Sequence, residues 1–337
     1  MNKSVIRGVI GAVAVAAMGL TSAAAIGSPA SSREISFMPQ NSLDQEDNLL
    51  APTGITEAEF NRVINYYKGI YTPIVSRLGG RLVINNRWTD NTVNANASQS
   101  GTTWTVNMFG GLARRPEITS DGFAIVLCHE IGHHLGGYFF YSSTNWASAE
   151  GQSDWYATQV CARNGWVNET AVNATFRNTA PAIVKQKCDA EWKTTASQDL
   201  CYRISVAGKS TADLLAALGG GTVRYETPDT TVVSATQTAH PRAQCRLDTY
   251  FTGALCTVQG DINNIPGKSR PNRNSVDAER DAAKVRCLPA SVGVPGYNGK
   301  NVPTCWFRPQ VRAGGLLDVD DATESTESVA PEGDTYN

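Results

Sequence analysis

Apolar and polar positions along the chain group into helical and strand-like stretches separated by glycine stops. Phe60, Val63, Ile64, Tyr67, Ile70 and Tyr71 recur at three- and four-residue intervals, the period of one helix face. Just ahead of them Thr56 and Glu59 stand at capping-box spacing, with Ile55 and Phe60 where a hydrophobic staple would sit. A helix is therefore predicted to begin at Thr56 and to stop at Gly79-Gly80. Leu82-Val83-Ile84 predicts a short strand, and residues 93–97 and 102–108 a hairpin turning at Ser100-Gly101. Residues 119–135 predict an apolar helix ended by Gly136-Gly137. Ser148 is placed to cap another helix that runs to about Arg163, with Gly165 beyond its end. Later helices are predicted over 198–206, 210–218 and 241–255. The expected fold class is α+β, mainly helical, with a small antiparallel sheet or hairpin.

The two ends of the chain carry other patterns. Lys3 and Arg7, the apolar run Gly8 to Leu20 and the small residues Ala23-Ala24-Ala25 predict a bacterial-type signal peptide over 1–25. Residues 26–54 are polar and aperiodic and are expected to be a flexible lead-in, with an inhibitory pro-segment left open. Residues 313–337 are acidic, with no basic residue from Asp318 onward, the signature of a solvated tail. One body, 55–312, lies between them, and its 257–312 portion reads as a loop-rich, cysteine-containing extension.

Composition narrows the classes. The chain has 29 Lys and Arg against 31 Asp and Glu, a net charge of −2, so no basic excess exists to hold a nucleic-acid backbone. No internal apolar run reaches the roughly 18 residues of a membrane span. Eight cysteines behind a signal peptide are expected to pair in an oxidising periplasmic or extracellular space. Cys245 and Cys256 cannot pair on one helix, because eleven residues rise about 16 Å and a disulfide needs Cα atoms within about 7 Å. Cys188 with Cys201 and Cys287 with Cys305 are the local pairs expected; connectivity beyond that stays open.

Three of the four histidines fall within residues 129–134, which read His-Glu-Ile-Gly-His-His. Helix positions four apart differ by about 40° in direction and about 6 Å in rise, so His129 and His133 can reach one metal ion. Glu130 lies beside that face, where it can touch a water at the metal. His134 points about 100° away and Cys128 points elsewhere, so neither is an expected ligand. Position 139 is Phe, which excludes the third histidine of the HExxHxxGxxH pattern. A carboxylate is the better third ligand, and Glu150 and Asp154 share one face of the next predicted helix. One can bind the metal while the other accepts the second N–H of a ligand histidine.

These elements resemble the gluzincin peptidases of the HtpX and CAAX-prenyl-protease type (peptidase family M forty-eight). That family shows HExxH, then E-x-x-A-D-x-x-A, then His-Pro with Arg six residues after the His. Here Glu150, Asp154 and Ala157 match the second element with Ser153 in place of Ala, and His240-Pro241 with Arg246 match the third. Asn94-Ala95-Asn96-Ala97 matches an upstream Asn-Ala-x-Ala strand of the family. The resemblance covers roughly 55–256; the later region and the eight cysteines have no counterpart in it.

The resemblance implies a zincin-like metallopeptidase domain holding one zinc ion through His129, His133 and Glu150. It implies Glu130 as the base that takes a proton from the attacking water and returns it to the leaving amine. Asp154 would orient His129. His240 and Arg246 would lie near the developing oxyanion or hold the wall beside it. Asn94, Ala95, Asn96 and Ala97 would bind a protein or peptide substrate by adding it as a strand. The expected function is an exported zinc endopeptidase. The rival readings are a chaperone-like or binding protein of the cell envelope on a peptidase scaffold, and a zinc-stabilised structural protein. An intact Glu130 speaks against the first, and the lack of a fourth ligand against the second.

Overall fold

A computed structural model describes residues 33–47, 53–144, 146–288 and 301–310. The expected signal peptide and acidic tail lie outside the described residues. The first strand, β1 (Ile35–Ser36), precedes helix α1 (Glu57–Arg77). The start of α1 is a full capping box: Glu59 N–H donates to the Thr56 hydroxyl at 3.2 Å and Thr56 N–H to the Glu59 carboxylate at 2.9 Å. Its buried stripe is Phe60, Val63, Ile64, Tyr67, Tyr71, Ile74 and Val75, so only Ile70 of the predicted face is less than fully buried. The chain leaves the helix through Gly79 at φ +81°, a left-handed turn that favours glycine.

Strands β2 (Arg81–Arg87), β3 (Ala95–Ser100) and β4 (Thr103–Phe109) join β1 in a sheet of order β1-β3-β4-β2. β3 and β4 form the expected hairpin about Gly101. The sheet is mixed rather than antiparallel, because β2 pairs parallel to β4, Arg81 opposite Thr103 through Arg87 opposite Phe109. Residues 88–94 carry the chain across the end of β4 before β3 returns. That crossing lies on α2 (Gly110–Ala113). A Cβ at Gly110 or Gly111 would come within 1.8 Å of the Trp88 or Asn91 carbonyl oxygen, so the two glycines make the crossing possible. Alternating hydropathy gives a strand its faces but not its partner, which is why the parallel pairing was not legible.

For residues 33–47 the expectation of a flexible lead-in is also corrected. Residues 33–47 are placed against the body, and β1 pairs antiparallel with β3. Ile35, Phe37 and Met38 are buried. Three apolar side chains in a polar stretch are too few to show a period, but each finds a slot in the body.

The helical half is built around α3 (Ser120–Leu135), capped by Thr119, whose hydroxyl accepts Gly122 N–H at 3.0 Å. From Gly122 onward every residue of α3 is buried. Helix α4 (Glu150–Tyr156) continues through a π-helical segment (Ala157–Ala162) into α5 (Arg163–Trp166). Ser148 does not cap α4; the N-cap is Ala149 with no side-chain bond. Helices α6 (Thr170–Thr179) and α7 (Ala182–Glu191) were not predicted. α8 (Thr195–Leu218) is one helix where two were expected. Gly208 at their junction serves packing, since a Cβ there would stand 2.6 Å from Tyr250 Cβ of α9 (Ala243–Leu255). α10 (Val276–Ala283) lies in the later extension. No described helix is long and apolar enough to cross a membrane.

All eight cysteines are paired: Cys128–Cys161, Cys188–Cys201, Cys245–Cys305 and Cys256–Cys287. Cys188–Cys201 is the expected pair and Cys245 and Cys256 stay apart as helix rise requires. Cys287–Cys305 is corrected. Each of those cysteines instead binds one end of α9, so the extension is stapled to both ends of that helix. Sequence proximity favoured the local pair, but the extension has little apolar content and its contacts run to α9 and the π segment. There Gln159 Nε2 donates to the Val258 and Val285 carbonyls at 3.0 and 2.8 Å.

The two staples close loops of 31 and 60 residues, a separation at which each contributes about 3–5 kcal/mol in the chain-entropy account. Cys128–Cys161 is fully buried and should resist mild reduction. Limited proteolysis with reductant is expected to cut first within 257–310, with the helical body intact. The same fragments with and without reductant would contradict this.

Candidate metal centre

α3 carries His129, Glu130 and His133 on consecutive turns, and α4 brings Glu150 and Asp154 against them. The approach depends on Gly132, the fourth residue of the motif. A Cβ there would meet Ser153 Cα and O at 3.0 Å, so a larger side chain would push the two helices apart. His129, Glu130, His133, Glu150 and Asp154 are all fully buried.

Each ring nitrogen pointing away from the cluster centre is held. His129 Nδ1–H donates to Asp154 Oδ1 at 2.8 Å, and His133 Nδ1–H to the Ser148 carbonyl at 2.8 Å. Ser153 Oγ lies 3.0 Å from the same His133 nitrogen. Both Nε2 atoms thereby face Glu150. His129 Nε2 is 3.2 Å and His133 Nε2 3.7 Å from a Glu150 oxygen. Yet His129 Nε2, His133 Nε2 and Glu150 Oε2 are buried with no hydrogen-bond partner. Buried polar atoms are normally satisfied; three orphans within 4.8 Å of one another fit a metal ion. Two imidazoles and a carboxylate also leave one position open in a tetrahedral set.

Charge leads to the same conclusion. Glu150 and Asp154 are balanced within the cluster by one permanent cation, Arg246. Burial opposes a charge on His129, but Asp154 outweighs it and lifts that pKa to about 9, so the site draws in positive charge. Burial lowers His133 to about 4 and leaves it a neutral ligand. Burial also raises Glu130 well above the usual carboxylate range, with His129 opposing. Both Glu130 oxygens lack a partner. Glu150 is held below the usual range although burial opposes it, with His240 first among the groups that favour its charge.

Arg246 grips Asp154 with two bonds, Nε to Oδ2 at 2.8 Å and Nη2 to Oδ1 at 2.7 Å. Its Nη1 donates to the Phe37 carbonyl at 2.7 Å. Two of its nitrogens thus hold Asp154 at the back of the site, while Nη1 faces the segment after β1. His240, by contrast, is partly exposed, with Nε2 3.5 Å from Glu150 Oε2. His134 is outside the cluster, stacked between Trp104 and Trp146 and bonded to the Thr105 carbonyl. Cys128 is turned to Cys161. Asp229 with Cys245 and Cys305 also groups potential ligands, but that sulfur pair is a disulfide.

Asn94 to Ala97 hold the segment after β1, whose Phe37 ring stands 5.2 Å from that of His129. Asn94 Oδ1 accepts Met38 N–H at 3.1 Å, and the Ala95 carbonyl accepts Phe37 N–H at 3.0 Å. Asn96 Oδ1 accepts from Asn107 at 2.6 Å, and Ala97 packs with Ile35 and Trp146. Two groups at the centre had no place in the sequence reading. Tyr250 donates to Asp154 Oδ1 at 2.6 Å; its position four residues after Arg246 on one helix was the available signal. Tyr141 donates to Glu150 Oε1 at 2.8 Å from an irregular loop that no pattern marks.

Comparison with protein-family models, with curated proteins and with solved structures gives no significant match.

Glu150→Ala is expected to abolish stoichiometric metal binding, and Asp154→Asn to weaken it by about 10–100-fold. Gly132→Val should do the same without touching a ligand, by separating the helices. Elemental analysis after dialysis reads all three. Full metal content in Glu150→Ala would show that the ligand set is wrong.

Proposed function

We propose that this chain is an exported zinc-dependent endopeptidase of the gluzincin kind, with one zinc ion held by His129, His133 and Glu150. The observation that carries the reading is the convergence of three partnerless buried ligand atoms beside a carboxylate, Glu130, that has no bond of its own. Bound there, zinc would polarise a peptide carbonyl and lower the pKa of water enough to make it a nucleophile.

The residues have separable tasks. Glu130, whose proton affinity is raised by burial, takes a proton from the attacking water and delivers it to the leaving amine. Asp154 and the Ser148 carbonyl fix the histidine tautomers and free both Nε2 atoms. His240, at the exposed rim, is the side chain best placed to donate to an oxygen that gains negative charge. The peptide runs along the β3 edge at Asn94 to Ala97. Four disulfides support an oxidising compartment outside the cytoplasm, in keeping with the expected signal peptide.

Glu130→Gln keeps size and ligands but removes the base. Zinc should remain at about one per chain while hydrolysis of a quenched peptide falls by at least about a hundredfold. Retained hydrolysis in the purified variant would overturn the assignment.

A further inference from the structure

The β3 edge that should receive a peptide already holds one. Ile35 and Ser36 pair antiparallel with Ala97 and Asn96, and the strand contacts continue through Phe37 N–H to the Ala95 carbonyl. Asn94 takes Met38 by both backbone groups, accepting its N–H at 3.1 Å and donating to its carbonyl at 3.3 Å. The site's own polar side chains read the backbone of this segment. His240 Nε2–H donates to the Ser36 carbonyl at 2.8 Å and Arg246 to the Phe37 carbonyl at 2.7 Å. These are backbone contacts, the kind by which an added strand is recognised whatever its sequence.

The side chains fill slots. Ile35 sits among Ala97, Trp146 and Ala147. Phe37 lies edge-on to the His129 ring at 5.2 Å, with the Arg246 guanidinium over its face at 4.4 Å. Arg33 donates to Ser143 Oγ at 2.6 Å and so reaches the loop on the far side. With the segment in place, Glu130, His129, His133 and Glu150 are fully buried. A peptide cannot bring its carbonyl to Glu130 in that state.

We propose that residues 33–38 are an intramolecular occupant of the peptide-binding edge, which must leave before an external peptide can bind. This rests on the peptidase reading of the centre. A tethered occupant acts at an effective concentration on the order of millimolar, enough to exclude a peptide of ordinary affinity. The chain just after it suits release by a cut: Pro39 and Gln40 are exposed. Beyond them the chain has its own anchors, with Asn41 Nδ2 donating to the Val93 carbonyl, Val93 N–H to the Leu43 carbonyl and Gln45 N–H to the Asn91 carbonyl. The part after a cut would therefore stay attached while the part before it is held by β1 and its neighbours alone.

The test inserts a recognition sequence for a specific protease between Gln40 and Asn41, in the native background and with Ile35→Asp. Ile35→Asp places a charge in the Ala97–Trp146 slot and loosens the segment without altering a residue of the centre. After the cut and removal of the released fragment, the opened chain should bind a fluorescent synthetic peptide matching residues 33–38, while the intact chain does not. Hydrolysis of a quenched peptide should rise by at least about tenfold, as it must if the site is nine-tenths self-occupied, and the synthetic peptide should suppress it. The proposal is overturned if the opened, folded chain does not bind the peptide, or if the intact chain hydrolyses the quenched peptide and the opened chain does so no faster. It is also overturned if loss of the segment unfolds the body by circular dichroism, since the segment is then a structural strand. Peptide binding by an opened, zinc-loaded chain that hydrolyses nothing would uphold the occupant and refute the peptidase reading.

Discussion

The carboxylate of Asp154 is the contact on which the centre depends. It is fully buried, yet it ties His129 of α3 to Arg246 and Tyr250 of α9. Burial works against its ionisation, but Arg246 first and then His129 hold its pKa below the ordinary value. Breaking one side of such a buried pair typically costs about 3–5 kcal/mol, because the other charge is left unpaired. One group therefore fixes the tautomer of a ligand, the packing of three helices and, through Arg246 and the Phe37 carbonyl, the position of the β1 segment.

The same constraint explains why the helices around the centre are cross-linked and close-packed. α3 is joined to the π segment by Cys128–Cys161, directly before His129 in the chain. Gly132 lets Ser153 lie against α3, and Gly151 leaves room for the Trp306 ring, which a Cβ would approach to 2.2 Å. Trp306 comes from the extension that Cys245–Cys305 and Cys256–Cys287 staple to α9. The cysteine-rich region thus buttresses the face of α4 away from the candidate ligands. A ligand set displaced by even about 1 Å loses much of its function, so stiffness behind the candidate ligands suits the proposed function.

Much of this is legible in the sequence. The capping box at Thr56 and Glu59, the core face of α1, the hairpin at Gly101 and the helix bearing His129 and His133 rest on contacts within a few residues of one another. Local propensity and periodicity report such contacts directly. Glu150 and Asp154 were legible for the same reason, since a four-residue spacing on a helix defines a shared face. Where local signals competed, they misled: Ser148 resembles a cap but gives its backbone to His133, and the two helices expected over 198–206 and 210–218 are one, in which Gly208 accommodates Tyr250.

The sequence by itself therefore determined the candidate chemistry of the centre: which residues could hold a metal and which spacing brings them together. Only the tertiary structure decided what surrounds that chemistry. The parallel pairing of β2, the attachment of Cys287 to Cys256 and of Cys305 to Cys245, the Tyr141 bond to Glu150 and the lodging of residues 33–38 on β3 join positions 9 to 62 residues apart. Such contacts are set by shape complementarity and hydrogen-bond satisfaction across the packed body, which no short-range pattern encodes.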